Sequence, residues 1–387
     1  MKKLSLASST WDKKEIEAIM QVIKNDRYTM GDAVQTFEQE FAKYFGSKYA
    51  VMVNSGSSAN LLAIAALCFK KENPLQPNHE IIVPTLSWST TYYPVQQYNM
   101  KLVFVDIDLK TLNIDCNLIE DAITNKTKAI LVPNILGNPA ELIKLKQICK
   151  NHNLYLIEDN CESMGATLNN KYAGTYGICG TFSTFFSHHI STMEGGMIVT
   201  DDKELYHIML AMRSHGWTRH LPSKNTIYEK SENDFYDSFN FILPGYNIRP
   251  IEMSGAIGSS QLKKLKQFIK IRRLNAAIFQ ELFSNDDRFI IQQENGQSSW
   301  FGFSMTINHP SLKRDDVLNI LKKHGIEFRP VISGNILRHK VIKYLPHRIS
   351  GTHKNADIVH NHGFFIGNHH TDIQEQLLSM KQCLKNL

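Results

Sequence analysis

Between residues 49 and 214 short apolar runs alternate with helical stretches, and no other feature of the sequence narrows the possible folds as far. Tyr49–Val53 reads as a strand, runs into the small-residue turn Asn54-Ser-Gly-Ser-Ser-Ala-Asn60, and is followed by an apolar helical run to Phe69. Further strands are expected at Ile81–Val83, Leu102–Val105, Ala129–Val132, Tyr155–Glu158, Gly180–Phe186 and Met197–Thr200, with helices over Ala140–Asn151 and Lys203–Ser214. Strands that alternate with helices build a largely parallel sheet covered on both faces.

Upstream, Glu15 to Asn25 places Ile16, Ile19, Met20 and Ile23 on one helical face, and Val34 to Phe45 reads as a second helix closed by Gly46. Downstream, a long helix is expected from Ile251 to Phe283. The texture then changes to a strand near Trp300–Ile307, a helix near Arg314–His324 and a final helix near Ile373–Leu384. The expected class is α/β. Residues 1–260 form a large domain on a mostly parallel, mixed sheet flanked by helices; residues 261–387 supply a connecting helix and a smaller α+β domain. A chain of 387 residues suits that division, because compact domains hold roughly 100–200 residues.

Composition removes several function classes. The net charge of +6 is spread along the chain without a run of like charges, which argues against nucleic-acid binding. Met1 to Asp12 lacks the roughly 7–15 apolar residues of a secretory signal. No window approaches the ~18 apolar residues of a membrane span. Cys68, Cys116, Cys149, Cys161, Cys179 and Cys383 are dispersed and form no C-x-x-C pair, so neither a zinc nor an iron–sulfur framework is expected, and a reducing cytoplasm is. His188–His189 and His369–His370 are adjacent pairs whose members point apart on a strand, so no metal site is expected.

Four segments at the ends of expected strands carry the chemistry, where open α/β sheets place their ligands. Ser55-Gly56-Ser57-Ser58 offers backbone N–H groups at a helix N-terminus to a phosphate; a plain cap by Ser57 or Ser58 would use the same residues. Trp88, in Ser87-Trp88-Ser89, could stack on a flat ring, or be a core tryptophan. Leu156-Ile-Glu-Asp-Asn-Cys-Glu162 leads from apolar strand residues into Asp159 and Glu162. A carboxylate there can hold a pyridine nitrogen protonated; a helix cap or a metal ligand are the other readings. Phe182-Ser-Thr-Phe-Phe-Ser-His-His-Ile-Ser-Thr-Met-Glu-Gly-Gly196 brings in Ser183 and His188.

Together these segments resemble the sugar aminotransferase family of pyridoxal-phosphate enzymes, which makes amino and deoxy sugars on nucleotide carriers. The resemblance extends over nearly the whole chain, through Arg213-Ser-His-Gly216, Gly245-Tyr-Asn-Ile-Arg-Pro250, Met253-Ser-Gly-Ala-Ile-Gly258 and Gly325-Ile-Glu-Phe-Arg-Pro330. It implies an aspartate-aminotransferase-like fold. Family members carry a lysine before the Glu-Gly-Gly. Here that place is His188, and no lysine occurs between Lys171 and Lys203.

By this resemblance Gly56, Ser57 and Ser183 hold the cofactor phosphate, Trp88 stacks near its ring, Asp159 pairs with the pyridine nitrogen and Glu162 lies in its hydrogen-bond shell. Asn247 reaches the phosphate from a neighbouring subunit, which implies a homodimer with shared active sites. Thr29, Met30, Gly31 and Asp32, with His215, Arg219 and Arg329, contact the nucleotide sugar. As surface salt bridges the two arginines would each contribute only about 0–1 kcal/mol.

A histidine cannot form the covalent link to the cofactor aldehyde that a lysine forms. The expected cofactor is therefore pyridoxal 5'-phosphate working as pyridoxamine 5'-phosphate, not lysine-linked, with His188 as base and acid. The resemblance then implies a 3-dehydratase acting on a GDP-linked 4-keto-6-deoxy sugar of colitose synthesis for lipopolysaccharide O-antigen. It releases ammonia, and L-glutamate restores the amine. Histidine-bearing dehydratases of CDP-linked sugars hold an iron–sulfur cluster in a cysteine group that this chain lacks. Two other readings stand beside it: an ordinary aminotransferase, which the missing lysine opposes, and a non-catalytic protein that binds the cofactor.

Overall fold

The computed structural model describes residues 3–231 and 233–385. Eight strands form one sheet in the spatial order Tyr49–Val53, Gly196–Thr200, Cys179–Ser183, Tyr155–Asp159, Thr127–Pro133, Glu80–Pro84, Lys101–Val105, His347–Ile349. Gly196–Thr200 runs antiparallel to both its neighbours, and every other pairing is parallel. The sheet is therefore mixed and mostly parallel, as the alternation of apolar runs requires.

Successive strand residues point to opposite faces, and the core follows that rule. Val51, Ile81, Leu131 and Ile157 pack with Leu62, Tyr92 and Met209 of the helices Gly56–Leu67, Ser89–Gln97 and Lys203–Met212. Their neighbours Ile82, Ile130 and Leu156 pack instead with Leu145 and Ile148 of Leu142–His152. On that side Met52 and Met197 meet Phe37 and Phe41 of the helix Asp32–Phe45 and Leu262 and Leu265 of the long helix Glu252–Phe283. The two helices approach so closely that a Cβ on Gly258 would lie 2.5 Å from the Phe37 ring. Any larger residue there would have to push the pair apart.

The long helix ends in a second unit. Its Phe279 and Phe283 pack with Phe303, Phe364, Leu321 and Leu377 against a four-stranded sheet of Phe289–Ile291, Gly302–Ile307, Gly363–Gly367 and Phe328–Arg329. The chain then crosses back, so that His347–Ile349 closes one edge of the large sheet beside Lys101–Val105.

Several elements depart from expectation for identifiable reasons. The strand expected over Gly180–Phe186 ends at Ser183, because Thr184 and Phe186 turn to bond the Gly195 and Met193 carbonyls in a loop that carries His188. The strand expected from Trp300 begins at Gly302, since Trp300 lies in the left-handed region at φ +47°. Ser89–Gln97 is a helix despite Pro94 within it. Lys354–His362 and three strands of the second unit were not evident from periodicity. Among the described residues no helix is long and apolar enough to cross a membrane.

Candidate active site

The parallel strands ending at Val53, Pro84, Pro133, Asp159 and Ser183 surround one cleft of about 280 Å³. The segments that follow them supply Gly56, Ser57, Trp88, Ile135, Glu162 and His188 to its walls. The second unit adds Phe301, Arg329 and Ile332.

At one end lies the N-terminus of Gly56–Leu67. Ser55, not Ser57 or Ser58, is the cap: its backbone is extended and its hydroxyl accepts the Ser58 N–H at 3.0 Å. Ser57 Oγ is thereby left facing the cleft, where it donates to Thr90 Oγ1 at 3.0 Å. A Cβ on Gly56 would lie 2.7 Å from Ser183 Cβ, so glycine is what lets this helix start meet Ser183. Helix N-termini carry partial positive charge and free N–H groups, which suits an anion. Trp88 is 50% exposed at the cleft and is no core residue.

Asp159 is 6% exposed at the end of its strand. Its Oδ2 accepts from Asn60 Nδ2 at 2.8 Å and Thr91 Oγ1 at 2.7 Å, and its Oδ1 from the Cys161 N–H at 3.2 Å. Asn60 is oriented in turn by Thr181 Oγ1, which donates to its Oδ1 at 2.6 Å. All these partners are neutral, and among the described residues no ion pair neutralises the buried carboxylate.

Glu162 accepts the Leu136 N–H at 3.1 Å. Burial pushes its carboxyl up to about 7; the charge of Asp159 acts the same way, against the Leu136 N–H and Arg329. Arg329 also lines the cleft, with its guanidinium 4.8 Å over the Phe365 ring and its Nε without a partner.

His188 Nδ1 lies 2.8 Å from the Cys161 carbonyl. A carbonyl only accepts, so the proton is on Nδ1 and Nε2 carries the lone pair of the neutral imidazole. Burial pushes the ring down to about 4, and the Arg329 and Arg272 cations act the same way against the Cys161 carbonyl. His188 is thus a neutral base at physiological pH. His189 turns away and bonds the Ser299 carbonyl at 3.1 Å.

Sequence comparison supplies the context. The DegT/DnrJ/EryC1/StrS aminotransferase pattern matches residues 9–379. The chain belongs to this family. Among family proteins it is 54% identical to the GDP-4-keto-6-deoxy-D-mannose 3-dehydratase of Yersinia pseudotuberculosis over 383 residues, 98% of each chain. It is also similar to two solved structures. The Escherichia coli GDP-4-keto-6-deoxy-D-mannose 3-dehydratase with bound hydrated PLP superposes with a TM-score of 0.98 at 52% identity, over 100% of both chains. A GDP-4-keto-6-deoxymannose 3-dehydratase with a trapped PLP–glutamate geminal diamine gives 0.97 at 52% identity, over 99% of this chain and 100% of that one.

Of the residues singled out in the sequence, the fold brings Gly56, Ser57, Trp88, Asp159, Glu162, Ser183, His188 and Arg329 to one cleft. The remainder lie outside its lining. Gly31 sits where Glu252 caps the helix Asp32–Phe45, accepting the Gly31 and Ala33 N–H groups at 2.7 and 2.6 Å; Thr29 pairs with Ile251, and Asp32 meets Arg27 at 2.9 Å. His215 and Arg219 lie 5.3 and 5.7 Å from the Trp217 ring, and the exposed Asn247 accepts from Arg249 Nε at 3.1 Å. Sequence reasoning missed Asn60, a lone amide at the start of a helix that is apolar from Leu61 onward, and that isolation was a usable signal. It also missed Thr91, the Cys161 carbonyl and Phe301, for which no local signal exists.

Proposed function

We propose that the chain is a pyridoxal-phosphate-dependent 3-dehydratase of GDP-4-keto-6-deoxy-D-mannose, converting it to GDP-4-keto-3,6-dideoxy-D-mannose. The net reaction consumes the sugar and L-glutamate and yields the 3-deoxy sugar, 2-oxoglutarate and ammonia.

The cleft fits the cofactor on its own geometry. Asp159 is a buried carboxylate with neutral partners only, and a protonated pyridine nitrogen supplies the missing cation. The N-terminus at Gly56 and Ser57, with Ser183 against it, suits the phosphate. When bound, the group supplies an electron sink and an amine that returns as aldehyde.

The observation that carries the reading is His188. It occupies the family's lysine position, its Nδ1–H is committed to Cys161, and Nε2 is left as a base. No lysine lines the cleft among the described residues, which supports a cofactor held without a covalent link. His188 takes a proton at Nε2 and, once protonated, gives it to the hydroxyl leaving carbon 3. Trp88 flanks the ring and Glu162 bonds near it; Arg329 takes the nucleotide sugar. Thr29 to Asp32, His215, Arg219 and Asn247 serve the cleft of a second copy, in a homodimer. Residues 1–260 form the cofactor unit and 261–387 close it, and the enzyme works in the cytoplasm on colitose precursors.

The test incubates purified protein with pyridoxal phosphate, L-glutamate and GDP-4-keto-6-deoxy-D-mannose. A keto product lighter by one oxygen, with stoichiometric ammonia, is expected. A 4-amino sugar would instead mark an aminotransferase, and bound cofactor without turnover of this sugar would sink the proposal.

A further inference from the structure

Arg272, on the long helix, is 4% exposed and takes part in no ion pair among the described residues. Its Nη1 donates to the carbonyls of Trp300 at 3.3 Å, Phe301 at 3.2 Å and Asn368 at 2.8 Å, while its Nε has no partner. A guanidinium buried among neutral acceptors carries a desolvation cost that an apolar side chain would not, so stability alone is a poor reason for it.

What it grips is a strained corner. Trp300 lies at φ +47°, a sparsely populated conformation kept only where neighbours enforce it. Asn368 Nδ2 donates to the same Trp300 carbonyl at 2.9 Å and to the Arg272 carbonyl at 3.1 Å. Phe301 N–H donates to the Leu136 carbonyl at 2.9 Å. The corner therefore delivers the Phe301 ring to the cleft, 5.1 Å from the His188 ring. His188 is held by the Cys161 carbonyl through Nδ1 and by this phenyl ring through packing.

We propose that Arg272 is a positioning residue for the reaction: by clamping the Trp300–Phe301 corner it fixes the ring that packs on His188, and with it the aim of Nε2. The proposal rests on His188 being the base. A second consequence is electrostatic. The charged and titratable groups around His188 are Arg272 on the long helix, Arg329 on its strand, Asp159 at the end of its own strand with Cys161 and Glu162 after it, Glu194 in the cleft wall and His189 beside it. Both arginines oppose an imidazolium. Loss of Arg272 removes one of those two cations, so His188 should bind its proton more readily.

The test uses the full chain as Arg272→Met and Arg272→Lys. In Arg272→Met, kcat should fall about 10- to 100-fold with KM within about 3-fold, the cost of a misaimed group. The acidic limb of kcat/KM should move to higher pH. Arg272→Lys keeps the charge, so that limb stays while kcat recovers only in part. An independent readout is the pH dependence of His188 modification by diethyl pyrocarbonate in the cofactor-free chain, followed by peptide mass. The reagent attacks neutral imidazole, and the midpoint for His188 should rise in Arg272→Met. This measurement stands even if the wild type proves not to dehydrate the GDP-sugar, so the two proposals fail separately. A folded Arg272→Met with unchanged kcat and midpoint overturns the inference. If that variant does not fold, Phe301→Leu decides: kcat should fall over the same range, and Arg272→Lys should add little in that background. Fully multiplicative effects there overturn it as well.

Discussion

At the floor of the cleft Asp159 takes hydrogen bonds from Asn60, Thr91 and Cys161, and His188 gives one to the Cys161 carbonyl. Its roof is formed by Phe301, Arg329 and Ile332, with Arg272 and Trp300 behind them; both arginines leave Nε unpartnered, and Trp300 and Ile332 sit at φ +47° and +53°. Ile332 is β-branched, so the left-handed region costs it more than most residues. The floor is built from strand ends and helix starts whose polar groups find neutral partners close by. The roof is built from distant segments held in conformations they would not adopt alone. Strain of that kind collects where a site must keep one geometry. On the proposed reading the chemistry belongs to the floor, and the roof governs how accurately it is aimed.

The sharpest way to break this division is to remove the proposed base. His188→Ala should lower dehydration by about 10²–10⁴-fold, the usual contribution of a positioned general base, while leaving cofactor binding in place, because the phosphate and Asp159 contacts lie elsewhere. Turnover by single-wavelength assay with coupled ammonia detection checks the first part, and cofactor titration the second. Activity within ten-fold of wild type would return the chemistry to some other group.

Asp159→Asn sharpens the same contrast from the floor's other side. The amide keeps the shape but removes the negative charge, so a protonated pyridine nitrogen loses its partner. Loss of one preorganised electrostatic partner in a closed site costs about 10²–10³-fold in turnover, with weaker retention of the cofactor. Asn60→Ala, which deprives Oδ2 of one of its two donors, should give a smaller loss of the same kind. Equal losses from the two variants would mean that the orientation of Asp159, not its charge, is what matters.

The floor was largely legible in the sequence for a physical reason. A small-residue turn after a strand and a carboxylate at a strand end are local patterns set by one strand and its loop, and His188 stands six residues before Glu194, where the family resemblance expects a lysine. Gly56 and Asp159 could therefore be singled out from their immediate neighbours, and His188 from the family resemblance. Trp88 was read both as a ring-stacking residue and as a core residue, because hydrophobicity does not say which side of a strand end a side chain leaves. The roof was mostly invisible. Phe301 meets His188 across more than a hundred residues of chain, and the Trp300 corner breaks what periodicity alone marks as strand. The edge strand His347–Ile349 joins the large sheet from the far end of the sequence, a crossing that no local pattern announces.

The smallest expected effect lies where floor and roof meet, at Glu162. Its carboxyl is pushed up to about 7 from an ordinary 4.5, chiefly by burial. Between those values the cofactor-free folded state keeps a proton that the unfolded chain has released. Stability from this group is therefore fully present below about 4.5 and is lost as pH rises through about 7. Glu162→Gln stays neutral at every pH and can still accept the Leu136 N–H. It should stabilise the cofactor-free protein at pH 8 by roughly 1–3 kcal/mol relative to wild type and change little at pH 4.5. The buried histidines work in the opposite sense: His188 and His370, both pushed down to about 4 by burial, cost stability as pH falls from 6.5 towards that value. The comparison must therefore be made as a difference between variant and wild type, in which the histidine contribution cancels. Denaturant midpoints for the pair at pH 8 and 4.5 measure it. An equal shift at both values would mean that Glu162 is ionised throughout, with Arg329 rather than burial setting its charge.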